Sequence, residues 1–217
     1  MAERIEDGVR IRFERRYLGQ VQTPPDAALR ALAHAVEVMD AAGCCPVLED
    51  GKSAGNGAVL ASGRLFVTPS GRVPGSIDPA DLVELVRFEP GDWIAEFRSR
   101  DPSLAPTSDA PLYWAALIEA AADLPEPLRP AAALHGHVMD TERAAEALGL
   151  PISRAETLFS TPPDREALLQ LLRGHPYPTD HAWIRRGHGF FVLGDDMEQA
   201  RMRTLTLAER ARALGVL

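Results

Sequence analysis

The most informative segment of the sequence is Ile184-Arg185-Arg186-Gly187-His188-Gly189-Phe190-Phe191-Val192-Leu193-Gly194. It contains two short runs rich in aromatic and branched apolar residues, 182–186 and 190–193, which predict a pair of neighbouring strands. A histidine between two glycines stands where these strands meet. Glycine allows close backbone approach at such a corner, so the His188 side chain can be directed into a cleft.

Further strand pairs are predicted on the N-terminal side of this stretch. Residues 58–61 and 64–67 flank a Ser62-Gly63 turn and predict a hairpin. Other strands are predicted near 85–88, 93–97 and 131–138, and the alternating residues 8–14 predict one more. The segment Glu49–Gly57 is rich in turn formers and is expected to be a loop.

Helices are predicted between some of these strands. They are expected from Pro24-Pro25-Asp26 to Gly43 and over 109–123, 141–148, 164–173 and 196–213. Because the strands mostly arrive as hairpins, the pattern favours an α/β domain with a largely antiparallel sheet. Residues 1–217 are expected to form one domain, with a strand extension at its N-terminal end over 1–24.

Composition excludes several classes of protein. The 217 residues include 31 acidic and 23 basic ones, which give a net charge of −8. A negative protein binds the phosphate backbone of nucleic acids poorly, so we expect no nucleic-acid partner. Apolar stretches stop short of the ~20 residues of a membrane helix, and the charged N-terminal residues do not resemble a signal peptide. A cytoplasmic protein that acts on a small molecule is therefore expected. The single lysine, Lys52, lies among glycines, which disfavours Schiff-base catalysis.

Three histidines are candidate metal ligands. His135 and His137 are two residues apart on a predicted strand, so their side chains share a face, although a purely structural role for the pair is an alternative. Together with His188 they would form an open zinc site with three protein ligands, and imidazole also suits other transition metals. The remaining histidines are expected to be solvated or to cap helices: His34, His175 and His181.

Asp109 follows Thr107 and Ser108 at a predicted helix start. These residue types are common helix N-caps, which is one interpretation. The other is that the hydroxyls and backbone N–H groups bind an anion while the carboxylate moves protons. Glycine-rich segments around Asn56 and at Ser70-Gly71 offer further donors. Three aromatic residues are expected to pack in the core: Tyr113, Trp114 and Trp183.

The order of these pieces resembles the class II aldolase/adducin family over about residues 27–214. The shared order is a Gly-Asn loop, Thr-Pro-Ser-Gly, a helix opened by Ser and an acid, His-x-His on a strand, His-Gly between strands and a final helix. The stretch 184–194 is similar to the family segment LLRNHG-x-x-x-x-G. The resemblance implies a three-layer α/β/α fold, a four-fold homotetramer and fuculose-phosphate aldolase or ribulose-phosphate epimerase chemistry.

The resemblance also implies roles for individual residues. The zinc ligands would be His135, His137 and His188, and Asp109 would replace the family's catalytic glutamate in a reaction through a metal-stabilised enediolate. The substrate phosphate would be held by Asn56, Ser70, Gly71, Thr107 and Ser108.

The chain departs from the family pattern at three places. Gly57-Ala58 lacks the usual serine after Gly-Asn, Tyr113 stands where histidine is common, and Asp109 is one methylene shorter than glutamate. An aldolase acting on a small phosphorylated sugar or hydroxyketone is the leading hypothesis. A dehydratase, decarboxylase or epimerase of the same fold and a non-catalytic scaffold similar to the adducin head are the alternatives.

Overall fold

The structure is a computed structural model that describes residues 13–21, 27–47 and 54–217. Its strands are β1 (Glu14–Tyr17), β2 (Gly55–Ala61), β3 (Arg64–Val67), β4 (Val83–Glu89), β5 (Ile94–Arg98), β6 (Ala132–Gly136), β7 (Ala182–Arg185) and β8 (Gly189–Gly194). Its helices are α1 (Ala27–Ala41), α2 (Ala110–Trp114), α3 (Glu142–Leu148), α4 (Pro162–Gly174) and α5 (Met197–Ala213). Short 3₁₀ turns cover Pro74–Ser76, Pro79–Asp81 and Glu126–Leu128.

The eight described strands form one sheet in the order β1-β5-β4-β3-β2-β6-β8-β7. Every neighbouring pair is antiparallel except β1 with β5, which is parallel. The prediction of a largely antiparallel sheet is confirmed. The predicted strand pair around His188 forms β7 and β8, with Ile184 opposite Phe190.

Two helical layers cover the two faces of the sheet. Phe190 and Phe191 are adjacent on β8 and fully buried, and they point to opposite faces as strand geometry requires. The Phe190 face packs against α1, α3 and α5, whereas the Phe191 face packs against α2 and α4. The three-layer α/β/α architecture is therefore confirmed. No helix among the described residues is both long and apolar enough to cross a bilayer.

Local side-chain chemistry accounts for where several helices begin. Thr141 Oγ1 accepts a hydrogen bond from the backbone N–H of Ala144 at 3.2 Å, which caps α3. Asp196 caps α5 in the same way by accepting from the N–H of Gln199 at 2.7 Å. Gly149 ends α3 in the left-handed conformation, with φ of 65°.

The predicted loop over Glu49–Gly57 is wrong for its last three residues, which begin β2. The glycines there permit close packing rather than a turn. A Cβ on Gly57 would lie 2.7 Å from Leu32 Cδ1 of α1 and 2.8 Å from Leu134 Cδ2 of β6. Residues 48–53, including Lys52, lie outside the described residues, as do 1–12 and 22–26, where parts of the predicted N-terminal strand and helix start fall.

The predicted helix 109–123 is helical but does not keep one pitch. It is an α-helix only through Trp114 and continues as a π-helix over Ala115–Ala120. Apolar periodicity over so few residues does not distinguish the two helix types, because both place side chains on an inward face. Wide π turns are common at functional sites, and this one begins two residues after Tyr113.

Candidate metal centre

Strand register gathers polar side chains at one end of the sheet, on the face covered by α2 and α4. Asn56 on β2 lies opposite His135 on β6, and His135 lies opposite Phe191 on β8. His188 occupies the turn between β7 and β8, where its backbone N–H donates to the carbonyl of Arg185 at 2.9 Å. Asp109 enters the same space as the N-cap residue of α2.

Four side chains form a compact group of possible metal ligands. One ligand atom from each of Asp109, His135, His137 and His188 lies within 4.8 Å of the others. His135 Nε2 is 3.2 Å from His188 Nε2, and Asp109 Oδ1 is 3.7 Å from His188 Nε2. The structure thus brings together the three histidines and the acid that the sequence singles out.

His135 presents a lone pair to this group. Its Nδ1 is 2.6 Å from the carbonyl oxygen of Phe190, which can only accept, so Nδ1 carries the proton and Nε2 is free to bind a metal. Burial, with a further contribution from nearby His188, lowers the pKa of His135 to about 3. The imidazole is therefore neutral at physiological pH, as metal binding requires.

These residues fit a divalent metal ion. Zinc lies ~2.0–2.1 Å from histidine nitrogens in tetrahedral sites, which corresponds to about 3.3 Å between two ligand nitrogens. The 3.2 Å separation of the His135 and His188 Nε2 atoms agrees with that value. Asp109 Oδ1 is buried and has no hydrogen-bond partner among the described residues, which is consistent with an oxygen that faces a cation. Three imidazoles and a carboxylate suit zinc and other divalent transition metals.

The second oxygen of Asp109 is held by a buried chain of hydrogen bonds. Asn56 Nδ2 donates to Asp109 Oδ2 at 2.7 Å, and Tyr113 Oη donates to Asn56 Oδ1 at 2.5 Å. Burial, together with the charge of Asp109, raises the pKa of Tyr113 well above its usual value, so its hydroxyl stays protonated. The expectation that Tyr113 packs in the core is confirmed, but sequence reasoning missed its polar contact.

Two segments that the resemblance associates with phosphate binding are joined to each other by backbone hydrogen bonds beside Asp109. Thr107 N–H donates to the Thr68 carbonyl at 3.0 Å, and Ser70 N–H donates to the Ala105 carbonyl at 2.8 Å. Thr107 is buried and Ser108 is half-buried, while Ser70 and Gly71 are exposed. The predicted binding of phosphate by these residues and Asn56 stays a prediction.

His188 has a second acidic neighbour that sequence reasoning missed. Asp164, near the start of α4, places Oδ1 3.4 Å from His188 Nδ1 and is fully buried. Its carboxylate also contacts the buried Arg185 guanidinium and accepts from Thr157 Oγ1 at 2.9 Å. Burial alone would raise the pKa of Asp164, but the contacts with His188 and Arg185 hold that pKa well below its usual range.

One sequence signal pointed to this pair of charges. Arg185 is a charged residue inside an apolar strand segment, at a position where the quoted family motif has leucine. Its partner could not be identified from the sequence, because Asp164 is 21 residues away on a different element. Phe159 lies above the histidines, with its ring 5.5 Å from that of His188.

The other described histidines lie outside this group. His34, His175 and His181 are exposed, which confirms that they are solvated, and His175 is the C-cap residue of α4.

Comparisons with known proteins agree with this architecture. A family model described as "Class II Aldolase and Adducin N-terminal domain" matches residues 30–214. No curated protein sequence matches the chain. Among solved structures, L-fuculose-1-phosphate aldolase from Thermus thermophilus is 20% identical with a TM-score of 0.60, covering 87% of this chain and 93% of that one.

Two further solved structures are similar at low identity. A sugar-phosphate aldolase from Thermotoga maritima is 15% identical with a TM-score of 0.66, covering 86% of this chain and 93% of that chain. YgbL from Klebsiella pneumoniae, described as a putative aldolase/epimerase/decarboxylase, is 18% identical with a TM-score of 0.58, covering 87% and 88%. At these identities the similarity shows a shared fold.

Proposed function

The chain belongs to the class II aldolase and adducin family, and from that premise we propose that it is a metal-dependent aldehyde-lyase. The substrate would be a small sugar or hydroxyketone, with a phosphate as the expected anionic group. The observation that carries the proposal is the convergence of Asp109 with His135, His137 and His188 within 4.8 Å. We further propose that the protein acts in the cytoplasm and in carbohydrate metabolism.

In this proposal the three imidazoles hold the metal, with zinc as the first choice. A bound divalent ion would act as a Lewis acid toward the carbonyl and hydroxyl oxygens of the substrate. The tautomer of His135 is set by the Phe190 carbonyl, and His188 is oriented by Asp164, whose Oδ1 lies 3.4 Å from His188 Nδ1. Such contacts outside the ligand set keep imidazole rings in a binding orientation.

Asp109 is the proposed proton carrier. Its free oxygen, Oδ1, would take the proton from the substrate hydroxyl as the neighbouring C–C bond breaks and the hydroxyl carbon becomes an aldehyde. A proton is then delivered to the carbon that loses its partner, so the reaction is balanced without a co-reactant. A carboxylate fixed through Oδ2 is pre-oriented for this transfer, which lowers the cost of reaching the reactive geometry.

Dehydration, decarboxylation or epimerisation of a hydroxycarbonyl substrate is the second candidate. The same proton carrier and the same Lewis acid serve all these reactions. Asp109 stands where the family has glutamate, and its shorter side chain changes where the carboxylate lies relative to the substrate. These reactions are therefore retained as candidates. A scaffold role like that of the adducin head is disfavoured, since a scaffold has no use for three buried or half-buried convergent imidazoles.

Substitution of His137 and Asp109 tests the site. We expect about one divalent metal per chain by elemental analysis of protein purified without chelator, and its loss in His137→Ala. That variant should also have a lower Tm, because bound ligand stabilises the folded state. Asp109→Asn should keep metal when zinc is in excess, because three imidazoles remain, but should lose turnover of sugar phosphates or hydroxyketones.

Exposed His34→Ala is the matched control and should keep both metal and turnover. A wild-type protein that takes up no metal even from added zinc would contradict the proposed function. Full activity of Asp109→Asn would show that Asp109 is not the proton carrier.

A further inference from the structure

Both polar atoms of the Asn56 amide bond to neighbouring side chains. Its Nδ2 donates to Asp109 Oδ2 at 2.7 Å, and its Oδ1 accepts from Tyr113 Oη at 2.5 Å. The exposed fractions are 8% for Asn56, 2% for Asp109 and 0% for Tyr113. The three side chains therefore form a continuous polar chain that lies inside the protein.

The chemistry of the two partners determines which atom of the Asn56 amide faces which neighbour. An ionised carboxylate can only accept hydrogen bonds, so the amide nitrogen, and not the amide oxygen, must face Asp109. The amide oxygen then faces Tyr113, whose hydroxyl must donate. Only one assignment of the Asn56 amide satisfies both contacts, and it leaves Asp109 Oδ1 directed at the histidines, 3.7 Å from His188 Nε2.

We propose that Asn56 and Tyr113 are positioning residues that hold Asp109 against the candidate metal centre. This inference rests on the proposed function, because it assumes that a divalent ion binds beside Asp109. Tyr113 lies one helical turn after Asp109, on the same face of α2. The helix therefore carries both the acid and the tyrosine, and Asn56 of β2 bridges the two side chains.

Hydrogen bonds that hold Asp109 in place are useful because its side chain is short. Aspartate has one methylene fewer than glutamate, so the position of its carboxylate depends strongly on where α2 begins relative to the sheet. Asn56 on β2 connects that point to the sheet at the residue opposite His135. The distance between the acid and the imidazoles is therefore determined by hydrogen bonds rather than by the length of the side chain.

The measured quantity is metal affinity. The Asp109 carboxylate attracts a divalent cation by its charge, whether or not the carboxylate is a direct ligand. Affinity for cobalt and zinc would be measured by competition with a chromophoric chelator, on variants shown by circular dichroism to be folded. We expect Asn56→Ala to bind either ion about 10–100-fold more weakly, as is typical when a partner of a ligand is removed. Tyr113→Phe should weaken binding about fivefold, the effect of one lost hydrogen bond.

Tyr17→Phe is the matched control. Tyr17 lies on β1 at the opposite edge of the sheet, where its hydroxyl donates to the Ser99 carbonyl at 3.4 Å, and its loss should leave metal affinity unchanged.

One result would overturn the inference while the proposed function stands, namely wild-type metal affinity in both Asn56→Ala and Tyr113→Phe. A wild type that binds no metal would overturn the proposed function, and this inference with it.

Discussion

Asp164 and Arg185 form a fully buried ion pair directly behind His188. The guanidinium Nη2 also donates to Thr157 Oγ1 at 3.1 Å, and Asp164 Oδ2 accepts from the Ser160 N–H at 3.2 Å. Removing one charge from such a pair is far more costly than removing both, because the remaining charge is left in a low-dielectric interior. The energetic role of the pair therefore depends on both residues being present.

We expect Asp164→Asn to lower the free energy of unfolding of the metal-free protein by about 3–5 kcal/mol, because Arg185 loses its counter-charge. Adding Arg185→Met to that variant should recover at least half of the loss. Urea denaturation followed by circular dichroism measures both values. Glu96→Gln breaks the exposed pair with Arg16 and is the control, with a change below about 1 kcal/mol. An Asp164→Asn variant as stable as the wild type would refute this account.

At the scale of elements, the approach of β8 to β6 places His188 beside His135 and His137. Gly189 has a φ of 135°, and a Cβ at this position would lie 2.0 Å from the carbonyl oxygen of Gly136 and 2.8 Å from His137 Cα. The glycine after His188 is therefore required by the distance between two strands. The candidate metal centre depends on that distance, since its candidate ligands come from both sides of the contact.

Gly189→Ala is expected to lower the free energy of unfolding by about 2 kcal/mol or more, through the backbone clash and the unfavourable φ. Metal content should fall with it, because β8 must move away from His137. Gly63→Ala is the matched control: its φ is 73°, but no atom lies within 4 Å of the added Cβ. It should cost only about 1–2 kcal/mol and keep its metal. Equal effects in the two variants would show that the close approach is unimportant.

For the whole molecule, all four candidate ligands come from one chain and meet at one end of a single sheet. The family resemblance implies a four-fold tetramer with sites at the subunit interfaces. His137 is half-buried, while His135 and His188 are buried, so the centre opens on the side of His137. A neighbouring subunit could contribute residues on that side.

We predict that the protein is a tetramer in solution, and multi-angle light scattering after size-exclusion chromatography measures this directly. The reason is that the family's sites are completed at interfaces, so an isolated chain would leave its centre open to water. Dilution to concentrations at which the oligomer dissociates should reduce turnover more than metal content. A monomer with undiminished turnover would contradict the prediction.

The amino-acid pattern was enough to predict most strands and helices and to identify the candidate residues of the centre. Alternation of apolar residues, capping residues and glycine turns are local signals, and they predicted the hairpins, most helices and the three histidines with Asp109. Glycines at 55–57 misled the prediction, because a glycine required for close packing is indistinguishable in sequence from one required for a turn. The change from α- to π-helix after Trp114 was invisible for a similar reason, since both forms bury the same face.

The side chains that support the centre could be identified only in the folded chain. Tyr113 and Asn56 are 57 residues apart, and Asp164 and Arg185 are 21 apart on different elements. Their contacts depend on strand order, on register and on how α2 and α4 pack against the sheet. Those are set by the burial of many apolar side chains at once, and no short stretch of sequence encodes them. Local sequence patterns therefore identified the candidate ligands, whereas the residues that hold those ligands in place depend on the packing of the whole domain.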